Sequence, residues 1–121
     1  MISRFQAGSP VMEMIRLSSL EQYYALPLNK WNIKQPPDDE QLESVFNRGK
    51  LDLVLTPGLG FTSTGLRLGR GKGYYDTFFH KCKKELKYFP YTMGLAFKEQ
   101  IVQEIPTEPH DFTLNVIITP E

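Results

Sequence analysis

Leu51-Asp52-Leu53-Val54-Leu55-Thr56 is a short apolar run of strand-forming residues, and Pro57-Gly58 stops it. A glycine-rich connection follows as far as Gly73. From Tyr74 to Lys84 the period changes. Tyr75, Phe78, Phe79 and Cys82 recur at i, i+3, i+4 and i+7, the apolar stripe of a helix. Lys81, Lys83 and Lys84 crowd its last turns, where positive charge suits the dipole of a solvated helix end. After Pro90 the chain becomes extended again at 91–97 (YTMGLAF) and at 113–119 (TLNVIIT). Strand 51–56, helix 74–84 and strand 91–97 form a βαβ unit, so the two strands should run parallel with a right-handed crossover.

Upstream, residues 11–17 (VMEMIRL) give an impure alternation that predicts a strand. Ser18 and Glu21 have capping-box spacing and predict one short helical turn. Asp38 stands three residues before Gln41, Leu42, Val45 and Phe46 follow at i, i+3 and i+4, and Gly49 sits where a helix ends. That pattern predicts a helix over 39–48. Four strands and two substantial helices cannot cover both faces of a parallel sheet, which needs cover on each side. The expected fold is therefore one α/β domain over 1–121: a three-layer α/β/α arrangement with a mostly parallel, Rossmann-like sheet, incomplete at its N-terminal side. Its uncovered face should be exposed or shielded by self-association.

Bulk properties narrow the function. Fourteen basic and fourteen acidic residues give a formal net charge of zero, so no global field draws the chain to nucleic acid or to an anionic membrane. Any anion site must be local. Cys82 is the one cysteine, which excludes a disulfide within the chain and suggests a reducing compartment; its place on the apolar stripe makes it a small packed residue. No apolar run reaches bilayer-spanning length. Residues 1–14 lack the apolar stretch of a secretory signal, so a cytoplasmic location is expected, with mitochondrial import as the alternative.

The connection Gly65-Leu66-Arg67-Leu68-Gly69-Arg70-Gly71-Lys72-Gly73 carries the most chemistry. Gly69, Gly71 and Gly73 alternate, so the backbone can approach a ligand closely. Arg67, Arg70 and Lys72 bring three positive charges with no acid between them, and the helix behind offers unpaired N–H groups. Together these describe a phosphate site; a flexible surface connection has the same glycine pattern. The loop is neither a Walker A motif, since Gly73 follows Lys72, nor G-x-G-x-x-G, since Tyr74 occupies the third-glycine position.

Read as a whole, 52–61 (DLVLTPGLGF) and 67–76 (RLGRGKGYYD) closely resemble the signature of the 5-formyltetrahydrofolate cyclo-ligase family. Trp31-Asn32-Ile33 with Gln35-Pro36, Leu95 to Gln100, Pro109-His110-Asp111 and Thr119-Pro120-Glu121 are similar to further family segments. The resemblance implies closure of 5-formyltetrahydrofolate to 5,10-methenyltetrahydrofolate with consumption of ATP in the presence of Mg²⁺. It assigns Arg70 and Lys72 to catalysis. It assigns Arg67, Leu68, Gly69, Arg70, Gly71, Lys72, Gly73, Tyr74 and Tyr75 to nucleotide binding. Arg70, Gly71, Lys72, Gly73, Tyr74 and Trp31 would face the folate, and Asp76 and Asp111 fall at metal-ligand positions. The residues themselves leave other readings open: Asp76 could complement the helix dipole, Asp111 could be a turn residue, Tyr75 could be core and Trp31 a loop anchor. His80 and His110 read as surface or structural.

Two departures from the family pattern stand out. Lys34 replaces a frequent proline, which should loosen its loop, and Asn115 replaces the usual acid before the last strand. The resemblance also implies a sizeable segment before Met1 that holds part of the ATP and folate contacts, so this chain alone should turn over poorly.

Overall fold

The structure is a computed structural model that describes residues 1–5, 9, 11–37, 39–69, 71, 73–109 and 111–120. Three parallel strands form its central sheet: β3 (Leu53–Leu55), β6 (Tyr91–Leu95) and β7 (Val116–Ile118), in the order β3-β6-β7. Val54 pairs with Thr92 and Gly94 with Ile117. The 12-residue helix α3 (Tyr74–Glu85) connects β3 to β6, as the apolar stripe demands, and buries Phe78, Phe79 and Cys82. Each such ring stabilises the fold by about 1.5–3 kcal/mol when fully withdrawn from water. The α/β class and the parallel strand pairs agree with the sequence reading.

The sheet is smaller than expected. The strand read at 11–17 is β2 (Met12–Ile15), and it pairs antiparallel with β1 (Ile2–Phe5) in a separate hairpin rather than joining the parallel sheet. β1 escaped the sequence reading because Arg4 breaks its apolar alternation. Arg4 is 5% exposed, and its burial is matched by Glu13 at 3.2 Å and by the Pro37 and Glu40 carbonyls at 2.8 and 3.0 Å.

The helix predicted at 39–48 is only α2 (Val45–Arg48), capped by Ser44 and ended by Gly49 in the left-handed region. Arg16 N–H donates to the Glu43 carbonyl at 2.9 Å, and Ile15 bridges to Ser44, so β2 holds the preceding residues extended. The initiating residue of the prediction, Asp38, lies outside the described residues. The short turn expected at Ser18 is the helix α1 (Leu20–Tyr24), with Ser19 as its cap. The segment read as a loop contains a further hairpin, β4 (Gly60–Phe61) against β5 (Arg67–Leu68). Gly65 turns its tip at φ +100°, and a Cβ there would lie 2.2 Å from the Leu114 carbonyl oxygen.

The two faces of the parallel sheet differ sharply. Val54, Thr92 and Gly94 are buried toward α3, whereas Leu53, Leu55, Tyr91, Leu95 and Ile118 on the opposite face are exposed. No helix among the described residues is long and apolar enough to cross a membrane.

Candidate phosphate and metal site

β3, β6 and β7 are parallel, so their carboxyl ends share one edge of the sheet, the usual ligand edge of α/β folds. The chain leaves β3 there, makes the β4–β5 hairpin and enters α3 through the glycine loop. Gln100 ties this edge together: its Nε2 donates to the Gly58 carbonyl at 3.0 Å, and its Oε1 accepts from Phe97 N–H at 2.8 Å. Beside these contacts an apolar concavity of about 400 Å³ is lined by Leu95, Ala96, Phe97, Ile118, Thr119 and Pro120.

Gly71 and Gly73 have φ of +87° and +69°, and nothing lies within 4 Å of a Cβ built on either. Backbone conformation, not crowding, requires glycine at both positions. Gly73 caps α3 in the left-handed region and supplies no side-chain hydrogen bond to its first turn. Asp76 stands in that turn. Arg70 and Lys72, the expected catalytic pair, lie outside the described residues.

Arg67 also has a structural task. Its Nη1 donates to the Pro57 carbonyl at 2.9 Å, and its guanidinium lies 5.3 Å from the Tyr75 ring centroid. It thus straps β5 to the end of β3 and to α3. Burial pushes the Tyr75 phenol above its ordinary pKa, while the Arg67 cation and the Ser3 hydroxyl pull it back. Tyr75 also packs near Phe79, with ring centroids 6.2 Å apart. Tyr74 meets Phe5 edge-on at 4.9 Å, so both tyrosines knit α3 into its surroundings.

Asp111 Oδ2 accepts from Glu108 N–H at 2.9 Å, and Asp111 N–H returns to the Glu108 carbonyl, so Asp111 closes its own turn. The next residue, Phe112, meets His80 edge-on at 4.7 Å. His80 lies one helical turn beyond Asp76 on α3. Among the described residues no group of three or more His, Cys, Asp or Glu side chains converges on one point. A cation held there would be of the kind that takes one or two carboxylates and fills its shell with water and phosphate oxygens, as Mg²⁺ does. Asp76 and Asp111 are carboxylates of the kind such an ion takes, and Asp111 Oδ2 accepts from Glu108 N–H here. His110 lies outside the described residues.

Trp31 rides the tip of a loop closed by a bridge between Leu28 and Lys34. Asn29 Oδ1 accepts from Trp31 N–H at 2.8 Å, and Lys30 Nζ lies 4.6 Å from the indole centroid. The indole is 50% exposed. Within this loop Lys34 Nζ donates to the Tyr24 carbonyl at 2.8 Å and the Leu26 carbonyl at 3.3 Å. Asn115 takes a defined part as well. Its Oδ1 accepts from Thr92 N–H at 2.7 Å and Thr92 Oγ1 at 3.0 Å.

The sequence profile of the 5-formyltetrahydrofolate cyclo-ligase family matches residues 2–120. The chain belongs to the 5-formyltetrahydrofolate cyclo-ligase family. A mouse 5-formyltetrahydrofolate cyclo-ligase is 47% identical over 117 residues, which are 97% of this chain and 58% of the mouse protein. A probable cyclo-ligase of Caenorhabditis elegans is 40% identical over 97% of this chain and 57% of its own length. A solved 5,10-methenyltetrahydrofolate synthetase of Mycoplasma pneumoniae superimposes with a TM-score of 0.50 at 31% identity, over 66% of this chain and 45% of that one. This cyclo-ligase family member thus spans about half the length of the curated relatives it matches. Gln100 and the Arg67–Pro57 strap were not singled out from sequence; the only signal for Gln100 was its place at the end of the family-like run from Leu95.

Proposed function

We propose that this chain carries the phosphate-handling part of an ATP- and Mg²⁺-dependent cyclo-ligase site. In complete form that site would convert 5-formyltetrahydrofolate to 5,10-methenyltetrahydrofolate, releasing ADP and phosphate. The observation that carries the reading is the run from Gly71 to Asp76: two glycines in the left-handed region, open space around them, and a 12-residue helix with no side-chain cap behind them. Arg67 and Gly69 to Gly73 would cradle the phosphates, with Arg70 and Lys72 neutralising charge on the group in transfer. Tyr74 and Trp31 would contact the folate.

Ring closure needs a better leaving group than a formamide oxygen. In the proposed reaction that oxygen attacks the γ-phosphorus of ATP, the bond to the bridging oxygen breaks, and ADP leaves. N10 then adds to the activated formyl carbon, the carbon–oxygen bond breaks to release phosphate, and the N10 proton leaves with the phosphate. Positioning and charge neutralisation dominate such steps. Bound Mg²⁺ would supply neutralisation of the phosphate oxygens, held by Asp76 and Asp111. A non-catalytic folate- or nucleotide-binding remnant is a second reading, favoured by the exposed apolar face of the sheet. The buried, unpaired Cys82 accords with a reducing, cytoplasmic setting.

Calorimetric titration with ATP and Mg²⁺, alongside absorbance detection of methenyltetrahydrofolate, tests both readings. The isolated chain should bind ATP, more weakly with Asp76→Asn, and turn over poorly or not at all. Absence of ATP binding would sink the phosphate reading. Full turnover by the isolated chain would remove the remnant reading and show that no further part of the site is needed.

A further inference from the structure

Arg67 is seated between two glycines. A Cβ built on Gly58 would lie 2.9 Å from Arg67 Cγ and 2.9 Å from Phe61 Cζ. A Cβ built on Gly69 would lie 2.9 Å from Arg67 Nη1 and 3.3 Å from Nη2. Neither glycine has positive φ. Space, not backbone conformation, therefore requires glycine at both, since the stem and head of Arg67 pass where a side chain would stand. In this slot the guanidinium lies 5.3 Å from the Tyr75 ring centroid, with Nη1 on the Pro57 carbonyl at 2.9 Å. Among the described residues its Nε and Nη2 make no hydrogen bond.

One wall of the slot, residues 57–59, is held from outside by Gln100. Its Nε2 donates to the Gly58 carbonyl at 3.0 Å and reaches the Leu59 carbonyl at 3.5 Å. Its Oε1 accepts from Phe97 N–H at 2.8 Å, so the amide group is fixed at both ends. The turn Lys98–Gln100 that carries it is itself anchored, because Val102 N–H donates to the Phe61 carbonyl at 2.8 Å. Pro57 and Gly58 thus present successive carbonyls, one to Arg67 and the next to Gln100. Gly58 has no Cβ to restrict its own torsions, so the direction of its carbonyl depends on that outside donor.

We infer that Gln100 is a positioning residue for Arg67: through the Gly58 peptide it fixes the seat from which the guanidinium offers its remaining donors to a phosphate. Gln100 acts through Arg67 and makes no ligand contact of its own. The inference rests on the reading of Arg67 as a phosphate ligand. A role confined to closing the turn Lys98–Gln100 would leave Arg67 undisturbed when the Gly58 bond alone is lost.

The test uses the 121-residue chain. Gln100→Leu removes both side-chain bonds at similar volume. In calorimetric titration with ATP and Mg²⁺ it should bind about two- to tenfold more weakly, the scale of one lost hydrogen bond. Arg67→Ala should lose at least as much, and the double variant no more than Arg67→Ala alone. Without nucleotide, ¹⁵N relaxation at Arg67 Nε should report a rigid guanidinium in the wild-type chain and a mobile one in Gln100→Leu. Gln100→Glu keeps the acceptor for Phe97 N–H and loses only the donor to Gly58; it should free Arg67 Nε to the same extent. Circular dichroism verifies folding, and Gln100→Glu, which preserves the turn, carries the comparison if Gln100→Leu does not fold. Losses that add in the double variant, or an Arg67 Nε as rigid in Gln100→Glu as in the wild-type chain, would overturn the inference. A wild-type chain that does not bind ATP counts against the phosphate reading, and the relaxation comparison still decides whether Gln100 seats Arg67.

Discussion

Replacing Gly65 by alanine separates packing from backbone requirements in the loop region. Gly65 has φ +100°, where an L-residue costs about 1–3 kcal/mol. The added Cβ would stand 2.2 Å from the Leu114 carbonyl oxygen and 3.0 Å from Thr113 Cγ2. Leu114 cannot retreat while its N–H donates to the Gly65 carbonyl at 2.8 Å, so that bond must lengthen or break, at about 0.5–1.5 kcal/mol. The sum is about 1.5–4.5 kcal/mol, a large part of the 5–15 kcal/mol typical of a domain. Gly71→Ala meets the first penalty alone, since nothing lies within 4 Å of its Cβ, and should cost about 1–3 kcal/mol. Urea unfolding followed by far-UV circular dichroism measures both. Gly65→Ala should shift the midpoint clearly further, whereas Gly71→Ala should stay folded and lose affinity for ATP. A loss below about 1 kcal/mol for Gly65→Ala, or a larger loss for Gly71→Ala, would refute the reasoning.

Three further expectations concern single side chains. With the site completed by the rest of a cyclo-ligase, Lys72→Ala should slow ring closure by roughly 10²-fold, the scale of one preorganised charge donor; unchanged kcat and KM for ATP in steady-state kinetics would remove Lys72 from the phosphate site. Burial pushes the Cys82 thiol up to about 12, so alkylation by iodoacetamide at pH 8 should be negligible until urea unfolds the chain. Because the folded pKa lies above the unfolded value of 9.0, the contribution of Cys82 to stability is complete below that pH and falls as pH climbs toward about 12, which unfolding midpoints across pH 8–11 would reveal. Lys34→Ala removes the donors to the Tyr24 and Leu26 carbonyls and should lower the fluorescence anisotropy of Trp31, the one tryptophan, with unchanged anisotropy counting against the tether.

The parts legible in the sequence are those whose signal is local. The Tyr75–Phe78–Phe79–Cys82 stripe placed α3 to within a residue, and Pro57-Gly58 and Pro90 bounded the strands beside it. The parts that were not legible are set by distant partners. Leu42, Val45 and Phe46 have helical spacing, yet β2 claims the Glu43 carbonyl and the bridge to Ser44 and keeps 39–43 out of the helix. β1 hides because Arg4 is buried among carbonyls that lie more than thirty residues away. In the site, the alternating glycines allowed positive φ, which Gly71 and Gly73 adopt and Gly69 does not, and nothing local pointed to the hydrogen bond from Arg67 to the Pro57 carbonyl. Lys34 and Asn115 read as losses against the family pattern, and each instead makes two hydrogen bonds.

The position of β6 between two parallel neighbours sets the order in which the chain can acquire its structure. Leu53 pairs with Tyr91, and Met93 with Val116, so each ladder closes a span of more than twenty residues before it gains a single backbone bond. Neither ladder can form as a local hairpin. During synthesis β3 and α3 must wait for β6, and β6 remains half-paired until Val116 to Ile118 leave the ribosome. Native pairing is therefore a late event, folding should be slow for a chain of this size, and the apolar residues of β3 and β6 are exposed to other chains throughout that interval.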